Sequence, residues 1–192
     1  MGNVDLFLDG VPFKSPFYHV LLYGINEVGP KIGEIMDYDQ NLIDCQVVKL
    51  NNKISLEERC LKLEDMLIYY NNMAQYNITK IYVESPFMMF SGGKTTAMTM
   101  SKLQRFNGMV SFMIRKIFGF NAELIAANKA RGAVNLKVKR GENTKKKVIE
   151  WVKRRYPRDF VFELTRHGNP QPGTDDKADA VIVALAGLIL NS

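Results

Sequence analysis

The sequence predicts a single α/β domain with a mixed five-stranded sheet and helices on both faces. Three observations carry the prediction. Three short apolar runs separated by turn residues open the body of the chain. After them, strand-length apolar runs alternate with stretches of helical spacing, the pattern of strands joined by crossover helices. The length of 192 residues suits one ordinary domain, and a chain 46% apolar and 24% charged has globular composition.

The elements follow in order. Residues 1–19 hold two prolines and several aromatics and read as an extension packed on the domain. His19 to Ile25 (HVLLYGI) is a short apolar run and reads as a buried strand. Gly29-Pro30 marks a turn. Lys31 to Met36 and Leu42 to Leu50 are two further strands, and the turn residues Asp37 to Asn41 between them make a hairpin. Ser55 and Glu58 have capping-box spacing, and Leu56, Cys60, Leu63, Leu67 and Tyr70 recur at helical spacing to about Tyr76. Ile78 to Val83 is a strand ending at Glu84, stopped by Ser85-Pro86. A loop from Phe87 to Gly93 leads to a Met-rich helix over about Thr95 to Phe118. Ala122 to Ala126 is a strand, Lys129 to Asn135 and Thr144 to Arg155 are helical, Phe160 to Leu164 is a further short strand, and Thr174 to Leu190 is the last helix. Three antiparallel strands followed by alternating helices and strands is the order of an RNase H-like fold. No internal repeat, linker or low-complexity segment divides residues 1–192.

Charge narrows the function classes. The net charge is +6, and its distribution matters more than its size. Lys129, Arg131, Lys137, Lys139, Arg140, Lys145, Lys146, Lys147, Lys153, Arg154, Arg155 and Arg158 are opposed in their stretch by Glu142 and Glu150 alone, so the remainder is net acidic. A basic segment on an acidic body suggests a polyanion surface. Cys45 and Cys60 cannot make a disulfide framework and fit a reduced, cytoplasmic compartment. The start carries no signal-peptide pattern, and the longest apolar stretch, Ala180 to Leu190, is too short to span a bilayer, so no membrane partner is expected. Gly92-Gly93-Lys94-Thr95 hints at a phosphate-binding loop, but the pattern needs a Gly where Met88 stands, so no nucleotide is expected. The two histidines are too few for a metal cluster, and His167 reads as a plain loop residue.

Acids stand at the ends of elements. Glu84 follows an apolar strand, and Asp176 and Asp179 open the last helix in the string Thr174-Asp175-Asp176-Lys177-Ala178-Asp179-Ala180. A spacing of three puts Asp176 and Asp179 on one helical face. Singly, such acids are caps, dipole partners or solvated groups. Together they matter, because strand ends and helix starts meet on one edge of an α/β sheet. Carboxylates gathered there repel unless cations neutralise them, and hard oxygen donors select Mg²⁺ or Mn²⁺.

These residues resemble the motifs of the RuvC-like Holliday-junction resolvases. GIN-EVGPKIG (Gly24 to Gly33) is similar to the opening motif, VESPF (Val83 to Phe87) to the second, SKLQRFNGM (Ser101 to Met109) to the helix after it, and DKADA (Asp176 to Ala180) to the closing motif. The resemblance runs from about residue 20 to 190, and the Lys-rich stretch Arg140 to Lys153 is similar to that of phage-type members. It implies an Mg²⁺-dependent endonuclease, working in a bacterial or phage-infected cell, that grips branched DNA as a homodimer and nicks two strands of a four-way junction. Asn26, Glu84, Asp176 and Asp179 would take the four catalytic positions, with Glu84, Asp176 and Asp179 as ligands to two Mg²⁺ (or Mn²⁺) ions. Phe87 would stack at the opened junction, and Lys94, Lys137, Lys139, Arg140, Lys145, Lys146 and Lys147 would meet DNA, chiefly at its phosphates.

The sequence departs from the family at the first acid, where Asn26 replaces Asp. An amide oxygen can touch a cation but brings no charge. Glu27 points to the opposite face of an extended chain and is a poor substitute. The alternative expectation is a protein that binds branched DNA without cutting it.

Overall fold

The computed structural model describes residues 18–23, 31–37, 39–48, 53–73, 77–85 and 97–191. Its elements are β1 (Tyr18–Tyr23), β2 (Lys31–Met36), β3 (Leu42–Val48), α1 (Leu56–Asn72), β4 (Asn77–Glu84), α2 (Ala97–Phe118), β5 (Glu123–Ile125), α3 (Ala127–Ala133), α4 (Thr144–Arg155) and α5 (Thr174–Leu190). The five strands form one sheet in the order β3-β2-β1-β4-β5. β2 runs antiparallel to β1 and to β3, while β4 is parallel to β1 and to β5. The β2–β3 turn is closed by Asp37, whose carboxylate accepts from the Asn41 backbone N–H and side-chain amide, each at 2.8 Å.

Strand alternation sorts the core into two layers. Ile81 and Val83 of β4 join Leu63 and Leu67 of α1 and Val110 and Ile114 of α2 on one face. Tyr82 points the other way, into a cluster with α4 and α5. Residues Ala178, Ala180 and Val181 to Leu188 of α5 are all buried, as expected of a helix that is apolar all round. Its small residues allow close approach: a Cβ on Gly187 would lie 2.4 Å from the Tyr82 ring. The predicted capping box of α1 is present, with the Glu58 N–H donating to Ser55 Oγ at 3.1 Å and the Ser55 N–H to Glu58 Oε2 at 2.9 Å.

Several expectations need correction. Tyr18, read as part of the extension, belongs to β1, one residue ahead of the expected strand start at His19. α1 ends at Asn72 and not near Tyr76, and α3 starts two residues before Lys129. Phe160 to Leu164 is not a strand. Phe160 is fully buried, and its N–H bonds back to the Tyr156 carbonyl at 3.0 Å. The only bridge in this stretch joins Leu164 to Pro170 within the same loop. The apolar run there packs on the core without entering a ladder. Among the described residues, no helix is long and apolar enough to cross a membrane.

Candidate functional site

Sheet topology selects one edge. β1, β4 and β5 are parallel, so their carboxyl ends share that edge. Between β1 and β4 the strand order reverses, which is where ligands bind in open α/β sheets. Glu84 closes β4 there, beside Ile125 of β5. Two hydrogen bonds pin this strand end. The Ser85 N–H donates to the Ile125 carbonyl at 2.9 Å, and the Asn107 side-chain amide donates to the Glu84 carbonyl at 3.0 Å. Asn107 is buried, so α2 holds the backbone of Glu84 from below.

α5 opens on Gly173, whose φ of 93° only glycine adopts easily, and no side chain caps it. Asp175 and Asp176 instead complement the positive end of the helix dipole. Lys177 is turned aside, donating to the Val161 carbonyl at 2.9 Å with its ammonium over the Phe160 ring. Asp175 pairs with Lys145 of α4. Asp179 faces Arg131 of α3 at 4.0 Å. Since α3 springs directly from β5, Arg131 ties the strand-end edge to the acidic turn.

Burial and the neighbouring charges together set the protonation of this turn. Burial pushes the Asp179 carboxyl up to about 6; Arg131 draws it down, Asp175 and Asp176 raise it further, and Lys145 opposes them. The Lys145 ammonium is in turn held above its ordinary value, first by its hydrogen bond to Asp175 and then by the field of all three acids. Because the fold favours protonated Asp179, that contribution to stability is present below about pH 4 and is lost as pH rises through about 6. Asp179→Asn is therefore expected to melt above the parent chain at pH 7.5 in EDTA and level with it at pH 4. Thermal melts at the two pH values check this, and equal melting points at pH 7.5 would show that no penalty exists.

The basic side of the site is α4. Lys145, Lys146 and Lys147 occupy its first turn, the wrong end of a helix dipole for positive charge. Each has an acidic partner: Asp175 for Lys145, Glu150 for Lys146 at 3.9 Å and Glu142 for Lys147 at 3.0 Å. Three lysines placed against the dipole suit an anionic partner better than they suit the helix. Lys137, Lys139 and Arg140 are exposed or half-exposed on the segment before it. Arg131, Lys139 and Arg140 border a recess of about 470 Å³.

The structure brings Asp176 and Asp179 together with Asp175, which the motif reading leaves out. Arg131 and Asn107 are site residues that sequence reasoning also misses. Arg131 stands out in the sequence only as one basic residue among many; its pairing with Asp179 spans 48 positions and leaves no local signal. Asn107 does leave one, as a polar residue on the buried stripe of an amphipathic helix. Among the described residues, no group of three or more His, Cys, Asp or Glu side chains is arranged to hold a metal ion. The expected cage of Glu84, Asp176 and Asp179 is thus not closed by the described side chains, where Arg131 and Lys145 supply the positive charge instead. Asn26, Phe87 and Lys94 lie outside the described residues, as do Met88 and the Gly92-Gly93 pair. His167 is exposed at a loop tip and accepts from Arg166 Nε at 2.9 Å.

Comparison with known proteins agrees on the fold. No protein-family model and no curated protein matches the sequence. Among solved structures, T. thermophilus RuvC in complex with a Holliday junction substrate matches with a TM-score of 0.62 at 13% identity, covering 91% of this chain and 94% of that one. A second Thermus thermophilus RuvC structure matches at 0.60 and 16% identity, covering 90% and 95%. The yeast mitochondrial Holliday junction resolvase matches at 0.50 and 14% identity, covering 91% and 79%. Mixed sheet, crossover helices and acid-led last helix together give this chain the α/β fold of the RuvC-type Holliday junction resolvases.

Proposed function

We propose that the chain is a structure-selective endonuclease that resolves four-way DNA junctions. The carrying observation is the acidic first turn of α5, with half-buried Asp179 in the field of Asp175 and Asp176, flanked by the lysine-led start of α4, on a RuvC fold covering nine-tenths of the chain. The T. thermophilus neighbour is bound to a Holliday junction. The donors are of the type a hard divalent cation takes: Asp179 is a half-buried carboxylate in the field of Asp175 and Asp176, and a cation there would offset the desolvation that raises its carboxyl.

In this reading Asp176, Asp179 and Glu84 hold Mg²⁺ or Mn²⁺, with Asn26 as a neutral fourth donor. The ions would supply an activated water and neutralise the leaving oxygen of a phosphodiester. The protein does the rest. Lys145 to Lys147, with Lys137, Lys139 and Arg140, hold phosphates and orient the strand. Arg131 and Lys145 keep the acids from repelling one another before a cation arrives. Asn107 fixes the backbone height of Glu84. Phe87 stacks in the opened junction centre, and two copies of the chain place two cuts symmetrically.

Asn26 motivates the second reading, a binder that does not cut. The test compares this chain with Asn26→Asp on synthetic four-way junctions in Mg²⁺ and in Mn²⁺. Both forms are expected to bind junctions in preference to duplex, and Asn26→Asp to cut faster by about tenfold or more, since a ligand charge restored in a buried site is worth at least about 1.4 kcal/mol. Cutting by the Asp form alone assigns the chain as written to binding. Failure of both forms to prefer junctions over duplex overturns the resolvase reading.

A further inference from the structure

Between α4 and the loop that follows it lies an open cleft of about 600 Å³. It has Asp175 on its wall, so it adjoins the acidic turn. Its apolar lining includes Ile149, Phe162 and Leu164. Leu164 is 57% exposed, a large apolar side chain left in water. Asn169 and Gln171 also line it, and their carboxamides make no side-chain hydrogen bond within the described residues. Lys145, paired with Asp175, and Lys146, paired with Glu150 at 3.9 Å, also line it.

These three kinds of surface match the three parts of a nucleotide. Apolar side chains pack on the ring of a base, amides read its edge, and ammonium groups meet its phosphate. The fold offers an independent reason for the cleft to stay open. The loop at Gly168 is held by its own bonds, Thr165 N–H to the Asn169 carbonyl at 2.7 Å and Gln171 N–H to the Glu163 carbonyl at 3.0 Å. Its backbone needs are met without closing onto α4.

We propose that this cleft receives one unstacked nucleobase of the DNA strand whose phosphate lies at the acidic turn, and that Leu164 and Gln171 set the sequence preference of cutting. The proposal rests on the branched-DNA reading above. It goes further in giving the protein a base-reading site beside its phosphate contacts at Lys145 and Lys146.

The experiment places a single 2-aminopurine at successive positions around the junction centre and follows its fluorescence on binding, in EDTA, for the parent chain, Gln171→Ala and Leu164→Ser. Both substitutions are at the surface, and thermal melting confirms their fold. One position is expected to brighten with the parent chain. That signal should be lost in both variants, while both still bind the junction in preference to duplex through the phosphate contacts. In a cutting form, the same variants should narrow the rate ratio between favoured and disfavoured junction sequences by about tenfold. Normal junction binding with no position brightening, or brightening unchanged in both variants, overturns the cleft proposal and leaves the resolvase reading standing. No preference for junction over duplex by the parent chain removes the resolvase reading and the cleft proposal with it.

Discussion

In a cleavage-competent form of the chain, Asp179→Asn or Glu84→Gln is expected to lower single-turnover cutting of a four-way junction by about 10²–10³-fold or more. Junction affinity in EDTA should change by less than about threefold. The division follows from where the charges lie. The basic residues from Lys137 to Lys147 are exposed or half-exposed and can meet phosphates across a broad surface. Asp179 is recessed among Asp175, Asp176, Arg131 and Lys145. Removing its charge eases the resting protein and removes a proposed cation ligand. The same substitution should therefore raise the melting point at neutral pH and abolish cutting, an exchange of activity for stability. Melting supplies a further check: Mg²⁺ should raise the melting point of the parent chain at pH 7.5 more than that of Asp179→Asn, by ligand linkage. A large loss of metal-free affinity in Asp179→Asn would show that the acidic turn itself holds the DNA, and the assignment of roles would fail.

Gly187→Ala should unfold the protein at a markedly lower temperature. The added Cβ would stand 2.4 Å from two atoms of the Tyr82 ring and 2.5 Å from a third. Tyr82 is fully buried in the middle of the sheet, and its hydroxyl accepts from the Asn191 side-chain amide at 3.2 Å. The ring has nowhere to retreat without lifting α5 from β4. Overpacking of this kind costs about 2–3 kcal/mol, which for a chain of this size lowers the melting point by about 4–12 °C. Gly108→Ala is the matched control. Gly108 is an exposed residue within α2, and an added methyl there would meet nothing within 4 Å, so alanine should stabilise by about 0.5–1 kcal/mol. Equal melting points for the two variants would mean that α5 does not pack closely on Tyr82.

Much of the fold is legible because its signals are local. Ser55 and Glu58 announce the start of α1 through a reciprocal cap that needs only four residues. Asp37 to Asn41 announce the hairpin, and the unbroken apolar run of α5 announces a helix buried on all sides. Thr144–Arg155 and Thr174–Leu190 appear with the boundaries read from periodicity. The Phe160 to Leu164 error has the same origin. Alternating apolar residues satisfy a strand pattern, but nothing local reveals whether a sheet edge is there to receive them.

The acidic residues at the start of α5 and the basic residues of α4 are readable in one dimension, since residue type and helical spacing are properties of the chain itself. Which acid meets which base is not. Asp179 with Arg131 and Asp175 with Lys145 are pairings between separate elements, as is the Asn107 amide with the Glu84 backbone carbonyl, all set by the direction in which α3, α4, α5 and α2 pack on the sheet. Sequence alone determined the alphabet of this site and its place at helix and strand ends. The three-dimensional packing decided its protonation balance and the cleft beside it, because burial and Coulomb energy depend on distance in space and not on separation along the chain.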